Sequence, residues 1–154
     1  MQATLEPVKE AEEAQDVEGA KEAPGQAVAA KKHSYSPKEL GRRGEEAAAK
    51  FLQRRGFEVV ERNWKCIAGE ADIIALQDDT LCFVEVKTRS DVQKGFPSEA
   101  VNERKRDRYE RIAACYLKEH VYDDLRVRFD VISILVLNND RAFLRHHVNA
   151  FGSM

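Results

Sequence analysis

The residues best suited to chemistry lie between Gly69 and Arg89, in the stretch GEADIIALQDDTLCFVEVKTR. A symmetric turn about Asp78 and Asp79 pairs positions whose numbers sum to 157, so Asp72 falls opposite Glu85 and Glu70 opposite Lys87. Glu85 and Lys87 are two apart and share one face of their strand. Three acids and a lysine are thereby predicted in a single cross-strand patch. Leu81, Cys82, Phe83, Val84 and Val86 make this strand nearly continuously apolar, the pattern of a central strand covered on both faces. Unpaired charge is costly there, and facing carboxylates repel. A divalent cation, Mg2+ or Mn2+, is the natural offset, because Mg2+ takes oxygen ligands and keeps several waters plus a phosphate oxygen. Asp72 and Glu85 are the expected ligands, with a backbone carbonyl from Val86 as a further one. Lys87 could hold or activate an attacking water, or stabilise charge growing on phosphate.

The elements that must position these residues can be read around them. Ser36-Pro37-Lys38-Glu39 supplies an N-cap, a proline at the first helical turn and a glutamate placed for a capping box. The helix is expected to run to about Arg55, with Gly56 as its stop. Leu40, Gly44, Ala47, Ala48, Phe51 and Leu52 form its inward stripe, and Gly41 and Gly44 would let its backbone approach a sheet closely. Glu45 falls about 20° from Leu52 at 3.6 residues per turn, so it can look toward the sheet and help bind the metal or orient its water. Glu46 points away.

Strands are expected at Phe57 to Trp64, Glu70 to Leu76 and Leu81 to Arg89. A second helix, capped by Ser98, covers about 99–119. Leu125 to Leu137 and Ala142 to Val148 read as two more strands, joined by the turn Asn138-Asn139-Asp140. The order αβββαββ is that of a mixed α/β sheet flanked by helices.

Five blocks occur in order along residues 36–151. They are Gly41-x-x-Gly44-Glu45, Gly69-Glu70-x-Asp72, Phe83-Val84-Glu85-Val86-Lys87-x-Arg89, Arg128-Phe129-Asp130 and Asn149-Ala150-Phe151. Together they resemble the bacterial YraN-type family of endonuclease-like proteins, within the PD-(D/E)XK nuclease superfamily. The resemblance implies a restriction-endonuclease-like fold. It also implies catalytic roles for Asp72, Glu85 and Lys87, with Glu45 as the helix glutamate of the Holliday-junction-resolvase-like branch. Ala71 stands where the superfamily name has proline, which leaves the acid in place. The expected activity is Mg2+- or Mn2+-dependent hydrolysis of phosphodiester bonds, structure-selective on DNA. The alternative is a non-catalytic module that binds nucleic acid or a protein partner.

Each residue also has a plainer role to weigh. Asp72, Glu85 and Lys87 could be a buried ion-pair cluster that fixes register, but the excess of acids over lysine argues for a missing cation. Glu70 suits a supporting role beside Lys87. Lys105, on the inward stripe of the second helix, either reaches a phosphate at the site or snorkels past the core. Arg89 continues the Glu85 and Lys87 face as a phosphate contact. The run Arg104, Lys105, Arg106, Arg108 and Arg111 could track a nucleic-acid backbone, although Glu103, Asp107 and Glu110 interrupt it. Asp130 is expected as a buried acid paired with arginine. Trp64 and Phe57 are expected in the core, and His146 and His147 point to opposite faces.

Composition sets the outer bounds. The 154 residues are 43% hydrophobic and 34% charged, enough for one core under a heavily charged surface. The net charge of -2 hides an asymmetry, since the first 30 residues carry seven acids against two lysines and the remainder is mildly basic. Residues 1–34 contain no aromatic before the domain of 35–154 and are expected to be a disordered acidic Ala/Glu-rich tail. No apolar run is long enough to cross a bilayer and no secretory signal opens the chain, so a cytoplasmic protein is expected, with a homodimer left open. The three cysteines form no CxxC pair or disulfide framework. Ser-His-Asp, Walker and GxGxxG patterns are absent, which leaves acyl-transfer and nucleotide-binding classes without support.

Overall fold

A computed structural model describes residues 5–7, 35–95, 101–137 and 141–151. Its elements are β1 (Leu5–Pro7), α1 (Pro37–Arg54), β2 (Glu58–Cys66), β3 (Gly69–Gln77), β4 (Thr80–Arg89), α2 (Glu103–Glu119), β5 (Arg126–Val136) and β6 (Ala142–His147). The sheet runs β1-β6-β5-β4-β3-β2. Among the described residues β4 and β5 are the one parallel pair, joined through α2; the other neighbours are antiparallel. From α1 onward this is the expected αβββαββ order. The strand Leu5–Pro7, within the segment expected to be a tail, pairs with β6; residues 1–4 and 8–34 lie outside the described residues.

The Ser36 hydroxyl caps α1 by accepting the Glu39 N–H at 3.2 Å. The Glu39 carboxylate is taken by Arg42 and Arg43 at 2.8 and 3.0 Å. Gly56 ends the helix at φ +85, with its N–H donating to the Gln53 carbonyl. Gly44 is where α1 meets the sheet, because a Cβ there would collide with the Thr88 hydroxyl. Gly41 has open space instead, so only one of the two glycines expected to serve close approach does so.

Helix α2 starts later than Ser98 would have it. Val101 is not helical and packs, partly buried, against the core beneath α2. Asn102, with extended backbone angles, forms the cap: its Oδ1 accepts the Lys105 N–H at 2.9 Å. Ser98 and the expected turn at 138–140 lie outside the described residues.

Each face of the sheet has its own core. Ile73, Ala75, Cys82, Val84, Ile132 and Ile134 pack with Ala47, Ala48, Phe51 and Leu52 of α1. Ile74, Leu81, Phe83 and Val131 pack with Tyr109, Ile112, Ala113 and Tyr116 of α2. Phe57 is buried on the α1 side, and Trp64 packs edge-on to Tyr116 with ring centroids 5.2 Å apart. Burying each such side chain is worth roughly 1.5–3 kcal/mol. The three cysteines are free thiols. Among the described residues no helix is long and apolar enough to cross a membrane.

Candidate active site at a fork in the sheet

The β3–β4 ladder follows the expected arithmetic, from Gln77 opposite Thr80 to Ile73 opposite Val84. It ends there, one residue before Asp72 would meet Glu85. Val86 N–H donates instead to Asp72 Oδ2 at 2.8 Å. A carboxylate has therefore taken the place of a backbone acceptor, and the two strands part at this point.

The reason lies in β2 and β3 together. Ala71 belongs to the core under α2, whereas Ile73 belongs to the core under α1. Residues two apart share a face in a regular strand, so β3 turns over at Asp72. Strand β2 turns over at the same level: Arg62 reaches Glu46 of α1 at 2.8 Å, while Trp64 packs under α2. Between them Asn63 adopts φ +51, a left-handed conformation that asparagine tolerates better than most residues. The flanking pairs Arg62 with Ile73 and Trp64 with Ala71 bracket Asn63 and Asp72 at one level of the sheet.

Several acids meet at this fork. With its amide nitrogen turned toward them, Asn63 donates to Glu45 Oε2 at 3.0 Å and to Glu70 Oε1 at 3.2 Å. Glu85 Oε1 lies 2.6 Å from Lys105 Nζ, and the Glu85 side chain is only 13% exposed. Its second oxygen, Oε2, is buried without a hydrogen-bond partner among the described residues. Desolvation pushes the Asp72 carboxyl up to about 6; the Val86 hydrogen bond opposes this, and Glu45, Glu85 and Glu70 add to it. Burial also raises the Tyr109 phenol, with Glu85 and Asp72 reinforcing the shift. Tyr109 thus stays protonated at neutral pH beside the acids.

Of the residues singled out in the sequence, Asp72 and Glu85 stand on the two sides of the fork. Glu45 joins through Asn63, and Lys105 reaches the site through Glu85. Lys87 lies half-buried two residues beyond Glu85 on β4. Arg89 donates to the Lys94 carbonyl at 3.3 Å and so helps hold the chain after β4. Among the described residues no three His, Cys, Asp or Glu side chains close into a metal cage. Asn63 and Tyr109 were not foreseen. An asparagine inside an otherwise strand-like run was the available signal for the first; the second is hidden by a helix pattern that reads as core.

Two clefts flank the acids. One, of about 580 Å³, is lined by Glu45, Asn63 and Glu70 together with Lys38 and Arg42 of α1. The other, of about 540 Å³, is lined by Ala68 and by Arg104, Lys105, Asp107, Arg108 and Arg111 of α2.

Asp130 makes a second, closed centre. Arg128 holds both its oxygens at 2.9 and 3.0 Å, His146 Nε2 lies 2.9 Å from Oδ2, and Asn149 N–H donates to Oδ1 at 2.8 Å. The arginine partner is as expected. His146 is an added one, and with His147 it is buried.

Residues 44–134 match the model of Uncharacterised protein family UPF0102. A UPF0102 protein of Prosthecochloris aestuarii is 41% identical over 112 residues, which cover 73% of this chain and 88% of the relative. One from Nocardia farcinica is 46% identical over 107 residues, covering 70% and 84%. One from Chlorobium phaeobacteroides is 43% identical over 123 residues, covering 77% and 98%. The matched stretch contains Glu45, Asn63, Asp72, Glu85, Lys87 and Lys105, and the chain belongs to the UPF0102, YraN-type family.

Proposed function

We propose that the fork is the active site of a metal-dependent endonuclease that hydrolyses phosphodiester bonds, structure-selective on DNA. The observation that carries this reading is the buried, unpartnered Glu85 Oε2 beside an Asp72 with a raised pKa. A stable ion-pair cluster would leave neither. The donor set suits Mg2+ or Mn2+: two carboxylates rather than an all-protein cage, between a cleft lined by Glu45 and Glu70 and one lined by Lys105. Asp72 and Glu85 would hold the ion, which when bound supplies Lewis-acid polarisation of the scissile phosphate and a more acidic water.

The chain's own groups do the rest. Lys87 stabilises the charge that builds on the phosphate and orients the water. Glu45, steadied by Asn63, takes part through a proton or a water at the α1 side of the fork. Lys105 keeps Glu85 oriented and offers its ammonium to an arriving phosphate. Water attacks phosphorus in line, the opposite P–O bond breaks, and no covalent enzyme intermediate forms.

The test is cleavage of labelled linear, flapped and four-way-junction DNAs with Mn2+, Mg2+ or chelator. Cutting should need the divalent ion and fall at least about 100-fold in Lys87→Ala, with folding unchanged by circular dichroism. Folded wild-type protein that cuts no substrate, or cutting that survives Lys87→Ala, would remove the reading.

A further inference from the structure

The turn between β2 and β3 carries an isoleucine that turn chemistry does not call for. Cys66 pairs with Gly69, so the loop is only Ile67 and Ala68. Glycine, asparagine and aspartate are favoured in such turns because they accept the backbone angles of tight hairpins. Ile67 is 102% exposed, the most exposed large hydrophobic side chain among the described residues. Single exposed aliphatics are ordinary on a protein surface. What sets this one apart is its mounting. Trp64, Cys66 and Ala68 pack against the core under α2. Gly69 lies so close to α2 that a Cβ there would sit 3.3 Å from Ile112 and 3.4 Å from Arg108. The hairpin is anchored to the helix while its tip stands in solvent.

The basic cleft lies directly beside that tip, since Ala68 of the same turn lines it with Arg104, Lys105, Arg108 and Arg111, against one acid, Asp107. Guanidinium groups suit phosphate oxygens in both geometry and charge. Lys105 belongs to this cleft and also holds Glu85 at 2.6 Å. An apolar tip, an arginine-lined cleft and, through Lys105, the acid cluster therefore follow one another.

We propose that Ile67 is a wedge that reads branch points in DNA. It inserts between base steps where the strands diverge, while Arg104, Arg108 and Arg111 hold the phosphates beside it and direct the strand past Lys105 to the fork. This deepens the nuclease reading and rests on it for the claim that the surface meets nucleic acid. Unstacking an intact step costs a few kcal/mol, and a base at a branch is already partly unstacked. A wedge backed by arginines accordingly favours branched over continuous duplex.

The experiment measures anisotropy of the full chain on forked and linear duplexes of matched sequence, with Ca2+ or chelator, and 2-aminopurine at the branch. Wild type should bind the fork about tenfold tighter than the linear duplex and raise the 2-aminopurine signal. Ile67→Ser should bring the ratio near one and abolish the rise, and Ile67→Leu should keep both. Arg108→Ala should weaken binding to both DNAs and shallow the salt dependence. Equal wild-type affinities, or a ratio unchanged in Ile67→Ser, would overturn the wedge. Mn2+-dependent cutting that needs Lys87 but ignores branching would overturn it too, while leaving the nuclease reading intact. Branch-selective, Ile67-dependent binding without any cutting would support the wedge and remove the chemistry. Failure to bind any DNA would overturn both.

Discussion

Asp130 and Asp72 belong to strands of one sheet and both are largely removed from water, yet their surroundings treat them in opposite ways. Asp130 is 0% exposed and meets an arginine fork, a histidine and a backbone N–H. Burial alone would raise its pKa, but the hydrogen bonds from His146 and Arg128 outweigh it and leave the carboxyl below its ordinary range. Asp72 receives one backbone N–H, faces three more acids and is pushed up to about 6. The first arrangement completes its own charge balance from residues of the chain. The second leaves an excess of acids and an orphan oxygen, and it is on these that the proposed cation and phosphate site rests. Perturbed carboxyls occur in structural networks as well as active sites; these two differ in the direction of the shift and in the missing partner.

The contrast can be broken most forcefully at Asp130. Asp130→Ala strands a half-buried guanidinium and a buried imidazole, and should cost about 3–5 kcal/mol in urea unfolding. A loss below about 1 kcal/mol would mean that the centre is not the closed structural unit described. Asp72→Asn should act in the opposite sense. Asparagine still offers an acceptor to Val86 N–H but carries no charge, so the divalent-free protein should gain about 1–3 kcal/mol at pH 7, while Mn2+ binding seen by calorimetry is lost. A destabilised Asp72→Asn would contradict that excess of acids.

Stability against pH sharpens the same point. Asp72 has a higher pKa folded than unfolded, so the folded state holds more protons there and its contribution falls as pH rises from about 4 to about 6. Asp130 has a lower pKa folded than unfolded, so its support is present above the ordinary value of 3.8 and fades as pH falls through its folded one. Asp72→Asn should therefore erase the decline between pH 4 and 6 and leave the acid limb in place. The smallest effect is expected at the exposed Glu46–Arg62 pair, where Glu46→Ala should cost no more than about 1 kcal/mol in thermal unfolding.

The contrast also marks what the residues alone disclosed. The element order, the two-sided burial of β4 and the register up to Ile73 and Val84 followed from apolar periodicity and turn position, because both are local. That Asp130 would be a buried acid paired with an arginine followed from a lone acid between Phe129 and Val131; that the arginine is Arg128 came from the structure. The turnover at Asn63 and Asp72 did not follow, since regular alternation was assumed through both. It arises when two strands change faces together, which neither pattern records by itself. The start of α2 was missed for a related reason. Ser98 and Asn102 both have cap chemistry, and it is the Asn102 side chain that takes the Lys105 N–H. His146 comes within reach of Asp130 only through the β5–β6 register, which sets it opposite Ile132.

Gly44 holds a consequence for anyone who would make this protein hardier. By helix propensity alone, both Gly41 and Gly44 invite replacement with alanine, each for a gain of up to about 1 kcal/mol. At Gly41 the space is open and the gain is there to be taken. At Gly44 the added methyl acts as a shim between α1 and Thr88. It would lift the helix from the sheet at the residue directly before Glu45 and carry that carboxylate away from Asn63. A rule that treats the two glycines alike would leave the fold standing and its acids out of register.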